Sequence, residues 1–179
     1  MKSRVMVWTC LVLLSVACAH GGGKPPLSFQ AVVPEGWREI PNEDAMLFMT
    51  RDGGYKQFVL IRERAVSEPF RFTQRSLNAQ MTPAEVAALV VQELSADTQI
   101  RNFQLLENTQ ATIAGNPGFR LTFTYADADG FVFKTIYCGF IRGQTYYTIR
   151  YGATRDDYFA QDLKTFEEVM QSFRLAAAR

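Results

Sequence analysis

Between Asn116 and Gly152 hydrophobic and polar positions alternate in three successive runs divided by two tight turns. Phe119, Leu121, Phe123 and Tyr125 fall on one side of the first run, and Arg120, Thr122 and Thr124 on the other. A period of two is the signature of a strand. Ala126-Asp127-Ala128-Asp129-Gly130 supplies turn chemistry, with Gly130 free to take positive φ. The second run is apolar on both sides: Phe131, Phe133, Tyr137 and Ile141 on one, Val132, Ile136, Cys138 and Phe140 on the other. Such a strand is covered on both faces. Gly143-Gln144 turns the chain into a third run, Thr145 to Tyr151. The pattern predicts an antiparallel meander whose middle strand needs a layer above and a layer below.

Two helical patterns supply those layers. Thr82-Pro83-Ala84-Glu85 places an N-cap, a proline at the first helical position and an acid at the third. Val86, Leu89, Val90 and Leu94 follow at helical spacing, to about Ser95. Near the end of the chain, Phe159, Leu163, Phe166, Met170 and Phe173 form a second stripe behind the first-turn acids Asp156 and Asp157. Asp162, Lys164, Glu167 and Glu168 are expected on its solvent face. The predicted fold class is α+β, a helix–sheet–helix three-layer sandwich around an antiparallel sheet.

Shorter signals fill the remainder. Leu27 to Val33 alternates weakly as a first strand, and Val33-Pro34-Glu35-Gly36-Trp37 turns, with Trp37 expected to pack. Ala45 to Thr50 and Tyr55 to Arg64 flank Asp52-Gly53-Gly54 as a hairpin. Phe103 to Glu107 and Thr109 to Ile113 read as two short strands. Ser67 to Met81 is the least regular stretch. It carries Arg71 and Arg75 beside Phe70 and Phe72, and is a candidate partner surface because long loops often hold function.

The first 26 residues change the picture of where this domain works. Met1-Lys2-Ser3-Arg4 is a positive start, and Val5 to Val16 an apolar segment of about a dozen residues, short for a bilayer span. Leu14-Ser15-Val16-Ala17-Cys18 resembles the lipobox of bacterial lipoproteins, with Ser15 standing where that family usually has Leu. The resemblance implies cleavage after residue 17 and lipidation of Cys18, and an anchor on the extracytoplasmic side of a bacterial envelope. Ala17-Cys18-Ala19 also satisfies an ordinary secretory cleavage site. Ala19 is not the Asp that retains many such lipoproteins at the inner membrane, which points to the outer one. Residues 18–26 then act as a tether ending in Pro25-Pro26, and residues 27–175 as the single domain. At roughly 3.5 Å per residue the stretch from His20 to Pro26 lets the domain stand at most about 25 Å off the membrane.

Charge and cysteine content exclude several functions. Without Lys2 and Arg4, 17 basic residues face 18 acidic ones, and no basic field remains for nucleic acid. Of three cysteines, Cys10 lies in the leader, so disulfides do not staple the fold. The only histidine, His20, sits in the tether, so the domain has no His-based triad or His-metal cluster. Asp127-Ala128-Asp129-Gly130 lacks the further acids of a calcium loop. Cys138 falls mid-strand among apolar residues, as a structural thiol would. No catalytic, cofactor-binding or metal-binding residue is assigned. Tyr137, Tyr146 and Tyr147 are candidates for lining a ligand pocket, against the plainer reading of sheet packing.

The order of motifs resembles the PsbP-like fold, shared by the photosystem oxygen-evolving extrinsic protein and a Ran-binding nuclear transport factor. The matching pieces are Val33-Pro34-Glu35-Gly36-Trp37, Ile113-Ala114-Gly115-Asn116-Pro117-Gly118 before the meander, Gly143 to Ile149, and a closing helix ending in Gln171-Ser172-Phe173-Arg174. The resemblance spans Leu27 to Leu175 and implies a binding or assembly module, not an enzyme, with no cofactor. The expected function is therefore an envelope-anchored lipoprotein that holds an unnamed envelope protein. The alternative is a periplasmic carrier of a small apolar or aromatic ligand.

Overall fold

The structure, a computed structural model, describes residues 28–42 and 46–176, apart from the side chains of 155–157. Cys18, His20 and the tether lie outside the described residues. Along the chain come β1 (Phe29–Gln30), β2 (Arg38–Glu39), β3 (Leu47–Thr50), β4 (Gln57–Ala65) and α1 (Pro83–Ala96). Then follow β5 (Arg101–Ile113), β6 (Asn116–Ala126), β7 (Val132–Arg142), β8 (Thr145–Thr154), α2 (Arg155–Ser172) and β9 (Arg174–Leu175). Seven strands form one antiparallel sheet in the order β2-β3-β4-β8-β7-β6-β5, and β1 pairs with β9.

The meander is present as β6, β7 and β8. Its first turn is closed by Asp127, whose Oδ1 accepts from the amides of Asp129 at 3.0 Å and Phe131 at 2.9 Å, while Gly130 takes φ +86°. The Asp127–Gly130 motif is thus a turn device. The expected layer on each face is present as well. Ile136, Cys138 and Phe140 of β7 join Tyr147, Ile149 and Tyr151 of β8 in a core with Phe159, Phe166 and Val169 of α2. The opposite face of the sheet sends Tyr137, Tyr146, Phe119, Leu121 and Phe123 against Val86, Leu89, Val90 and Leu94 of α1. The start of α1 is a capping box: Thr82 Oγ1 accepts from the Glu85 amide at 3.3 Å, and Glu85 Oε2 accepts from the Thr82 amide at 2.7 Å.

Three expectations need correction. The two short pieces before Ile113 are one strand, β5, whose register against β6 slips between Arg101 and Gln104 and again between Leu105 and Glu107. Bulges of this kind break the period of two and hide a long strand in the sequence. The first strand shrinks to Phe29–Gln30 because only that pair finds a partner, in β9. Asp162 is not on the solvent face of α2. It is 2% exposed, bonded by the Arg51 guanidinium at 2.9 Å and by Gln57 Nε2 at 3.3 Å. The buried stripe of α2 runs Phe159, Asp162, Phe166, Val169, and a carboxylate in it needs the paired cation that Arg51 supplies.

Candidate functional site: an arginine-lined cleft beside helix α1

Helix α1 lies over β5, β6 and β7 and leaves the same face of β4 and β8 uncovered. Strand periodicity decides which side chains stand there. On β4 they are Leu60, Arg62 and Arg64, and on β8 their cross-strand neighbours Arg150, Thr148 and Tyr146. Tyr137 of β7 pairs with Arg150. The segment between β4 and α1 folds back as an outer wall of Glu68, Pro69, Phe70 and Phe72. Together they enclose a cleft of about 460 Å³.

The irregular segment after β4 is fixed by specific contacts. Val66, Phe70 and Leu77 are buried in the α1 core. Glu93 of α1 accepts from the amides of Phe72 and Thr73 at 2.9 Å each and from the Thr73 hydroxyl at 2.8 Å. Burial by itself raises the Glu93 carboxyl, but these donors outweigh it and hold the group below its ordinary value. Glu93 is therefore an ionised clamp for the wall. Asp97 is also engaged, accepting from the Gln99 amide at 2.8 Å.

The arginines are less evenly satisfied. Arg64 lies 4.5 Å from the Phe70 ring centre and donates to the Glu68 carbonyl, yet its buried Nε has no acceptor. Arg150 lies 5.6 Å from the Tyr137 ring centre, and its Nε is also buried without an acceptor. Among the described residues no carboxylate stands within 4.0 Å of Arg150. Arg62 and Arg64 share only Glu68, at 3.9 Å each. A buried donor without a partner costs about 1–3 kcal/mol, and more when it carries charge.

At the floor, the Tyr137 and Tyr146 hydroxyls are 3.2 Å apart. Burial raises both phenols above their ordinary value, so at neutral pH they are uncharged hydrogen-bond groups. Tyr147 does not belong with them. Adjacent strand residues point to opposite faces, and Tyr147 stacks on Phe140 at 5.1 Å on the α2 side. Arg71 lines the cleft and lies 5.3 Å from the Phe72 ring centre. Arg75 turns away, donating to Gln92 Oε1 at 2.9 Å.

Sequence reasoning did not assign Arg62, Arg64 or Arg150 to a site. Their signal was the placement of cations at strand positions that alternate onto a buried face, which is costly unless something answers the charge. The apolar stripes of both helices are used in packing, and the space lies beside them. A second hollow, about 640 Å³, separates the β5–β6 turn from α2, with Cys138 and the Arg120–Glu167 ion pair (2.6 Å) on its walls. Burial pushes the Cys138 thiol up to about 12, which leaves no thiolate at neutral pH. No group of three or more His, Cys, Asp or Glu among the described residues is arranged to hold a metal ion.

A seven-stranded antiparallel sheet with one helix packed on each face is consistent with a PsbP-like fold. The family model of PsbP matches residues 27–175, and the chain belongs to the PsbP family. Among solved structures it resembles the cyanobacterial PsbP, CyanoP, of Synechocystis at 14% identity and TM-score 0.57, covering 83% of this chain and 87% of that one. It is equally similar in fold to LpqN of Mycobacterium tuberculosis, a protein involved in cell envelope biogenesis, at 16% identity and TM-score 0.57 over 87% and 88% of the two chains. The yeast Ran-binding protein Mog1p of Saccharomyces cerevisiae matches at 10% identity and TM-score 0.53, over 83% and 90%. No curated protein sequence matches the chain.

Proposed function

We propose that the chain is a lipid-anchored, non-catalytic module of the bacterial envelope that holds a protein partner on the extracytoplasmic side, at the outer membrane in preference to the inner. One observation carries the partner-binding part. Strand β5 is 13 residues long, forms the rim of the sheet, and is exposed on both faces from Gln104 to Gln110. Neither helix needs those residues for its core. Leu105 and Leu106 stand exposed at 38% and 45%. A rim strand offers its backbone donors and acceptors to a strand from another chain. From Glu107 to Ile113 the register is regular, so that half is the docking edge, while the bulges before it discourage pairing along the full length.

The anchor supports the same reading. Lipidation at Cys18 confines the domain to a thin layer at the membrane, which raises its effective concentration near envelope partners. Acyl chains contribute roughly 0.8 kcal/mol per buried CH₂. Family membership supports a scaffold role, and LpqN offers an envelope precedent. Crosslinking followed by pull-down from intact cells, run beside native mass spectrometry of the purified protein, tests the proposal. One enriched envelope protein is the expected result. No enriched protein, with a small molecule co-purifying, would place the carrier reading ahead of it.

A further inference from the structure

Three features of the cleft beside α1 are not explained by the fold. The Arg64 side chain is 9% exposed and lines the cleft; its buried Nε has no hydrogen-bond acceptor, with Glu68 Oε1 standing 3.9 Å away. Arg64 Nη2 donates to the Glu68 carbonyl and the guanidinium lies over the Phe70 ring, so its orientation is set in advance. Arg150 lies two rungs along the same face of the β4–β8 pair, with a second buried Nε lacking an acceptor. Arg62 stands between them in register with Thr148, half exposed at the mouth.

The carboxylates in the cleft do not answer these cations. Glu93 is occupied by three donors from the wall, and Asp97 by the turn after α1. Glu68 reaches Arg62 and Arg64 only at 3.9 Å and is itself about half exposed. Planar guanidinium groups present paired N–H donors that match the oxygens of a carboxylate or phosphate. Beside these charges the lining mixes apolar Leu60, Phe70 and Leu94 with polar Gln99, Thr148 and the Tyr137 and Tyr146 phenols. The cleft volume, about 460 Å³, falls within the roughly 300–1,000 Å³ typical of small-molecule sites.

We infer that this cleft binds the oxyanion of a small amphiphilic ligand, a carboxylate or a phosphate monoester. Arg64 and Arg150 receive the anion, Arg62 guards the entrance, and Phe70, Leu60 and Leu94 cover the apolar body. The site goes beyond the partner-binding reading and does not depend on it. The β4–β8 face is separated from the β5 edge by β7 and β6.

The test is calorimetric titration of the full-length, detergent-extracted protein with inorganic phosphate, phenyl phosphate and phenylacetate. One molecule of an aromatic anion is expected to bind per chain, at least tenfold more tightly than inorganic phosphate. Preference between phenyl phosphate and phenylacetate distinguishes a phosphate source from a carboxylate source. R62Q and R150Q each weaken binding at least tenfold, and R150K fails to restore it, since an ammonium lacks the fork. R120Q, on the α2 face, leaves binding unchanged. R62Q alters an exposed side chain and keeps the test valid if R150Q fails to fold. No saturable binding of any probe, or binding unchanged in R62Q, overturns the inference.

Discussion

Arg150 and Tyr137 face each other across the β7–β8 pair, the guanidinium 5.6 Å from the ring centre. The contact orients a cation at the floor of the cleft but leaves its buried Nε without an acceptor. Such a residue is a poor stabiliser. Exchange of Arg150 for Met, of similar length and apolar, is expected to change unfolding free energy by less than about 1 kcal/mol, or to raise it. Urea denaturation of the two proteins measures this. A loss above about 2 kcal/mol would make Arg150 a structural residue.

Arg51 predicts the opposite behaviour. Its guanidinium, 2.9 Å from Asp162, is the paired cation of a nearly buried carboxylate. Arg51→Ala leaves that charge without its cation and is expected to cost about 2 kcal/mol or more near pH 7. Burial already raises the Asp162 carboxyl, against the pull of Arg51. A raised acid is lost as a source of stability when pH climbs through its folded value. The deficit of the variant is therefore smallest in acid, where Asp162 is protonated, and grows toward neutrality. Denaturation at pH 4 and pH 7 reads both points.

Glu93 has the reverse sign. Its carboxyl is held below the ordinary 4.5 by donors from Phe72 and Thr73 that overcome burial. A lowered acid stabilises above its unfolded value and loses that contribution as pH falls through its folded one. Glu93→Gln is expected to cost about 1–2 kcal/mol at pH 7. Its gap from the parent protein should narrow as pH falls below 4.5 and close once Glu93 is protonated in the folded protein. A gap that stays constant with pH would remove Glu93 from the role of ionised clamp.

Phe166 and Phe133 test the two-sided sheet. Phe166 is 0% exposed and stacks on Tyr151 at 5.2 Å, while Phe133 is 4% exposed and stacks on Tyr125 at 5.4 Å. Each substitution by Ala should cost about 3–5 kcal/mol. Losses under about 1 kcal/mol at both positions would contradict the assigned core.

The layers were legible because alternation and helical spacing report burial directly. Phe119 to Tyr125 alternated, and Thr82-Pro83-Ala84-Glu85 marked a helix start that the capping box bears out. Asp162 misled because an acid at a stripe position looks like solvent until its partner, 111 residues away, is placed. β5 was split by bulges that no local rule reveals. Alternation alone separates the three tyrosines: Tyr137 and Tyr146 meet on the α1 side, while Tyr147 faces the other layer. The cleft was hidden because it depends on how far α1 is offset across the sheet, and the strands do not encode that offset.

The proposed role of this domain is to hold a protein partner at the β5 edge from a lipid anchor. A photoreactive residue at Asn108 of β5, exposed in the regular half of the strand, tests it directly in living cells. The control carries the same residue at Lys164 of α2, where the side chain is 90% exposed. The account predicts one crosslinked envelope protein from Asn108, none from Lys164, and an acyl-shifted mass for the chain recovered from membranes. No crosslink at Asn108, or the same products from both positions, would contradict it.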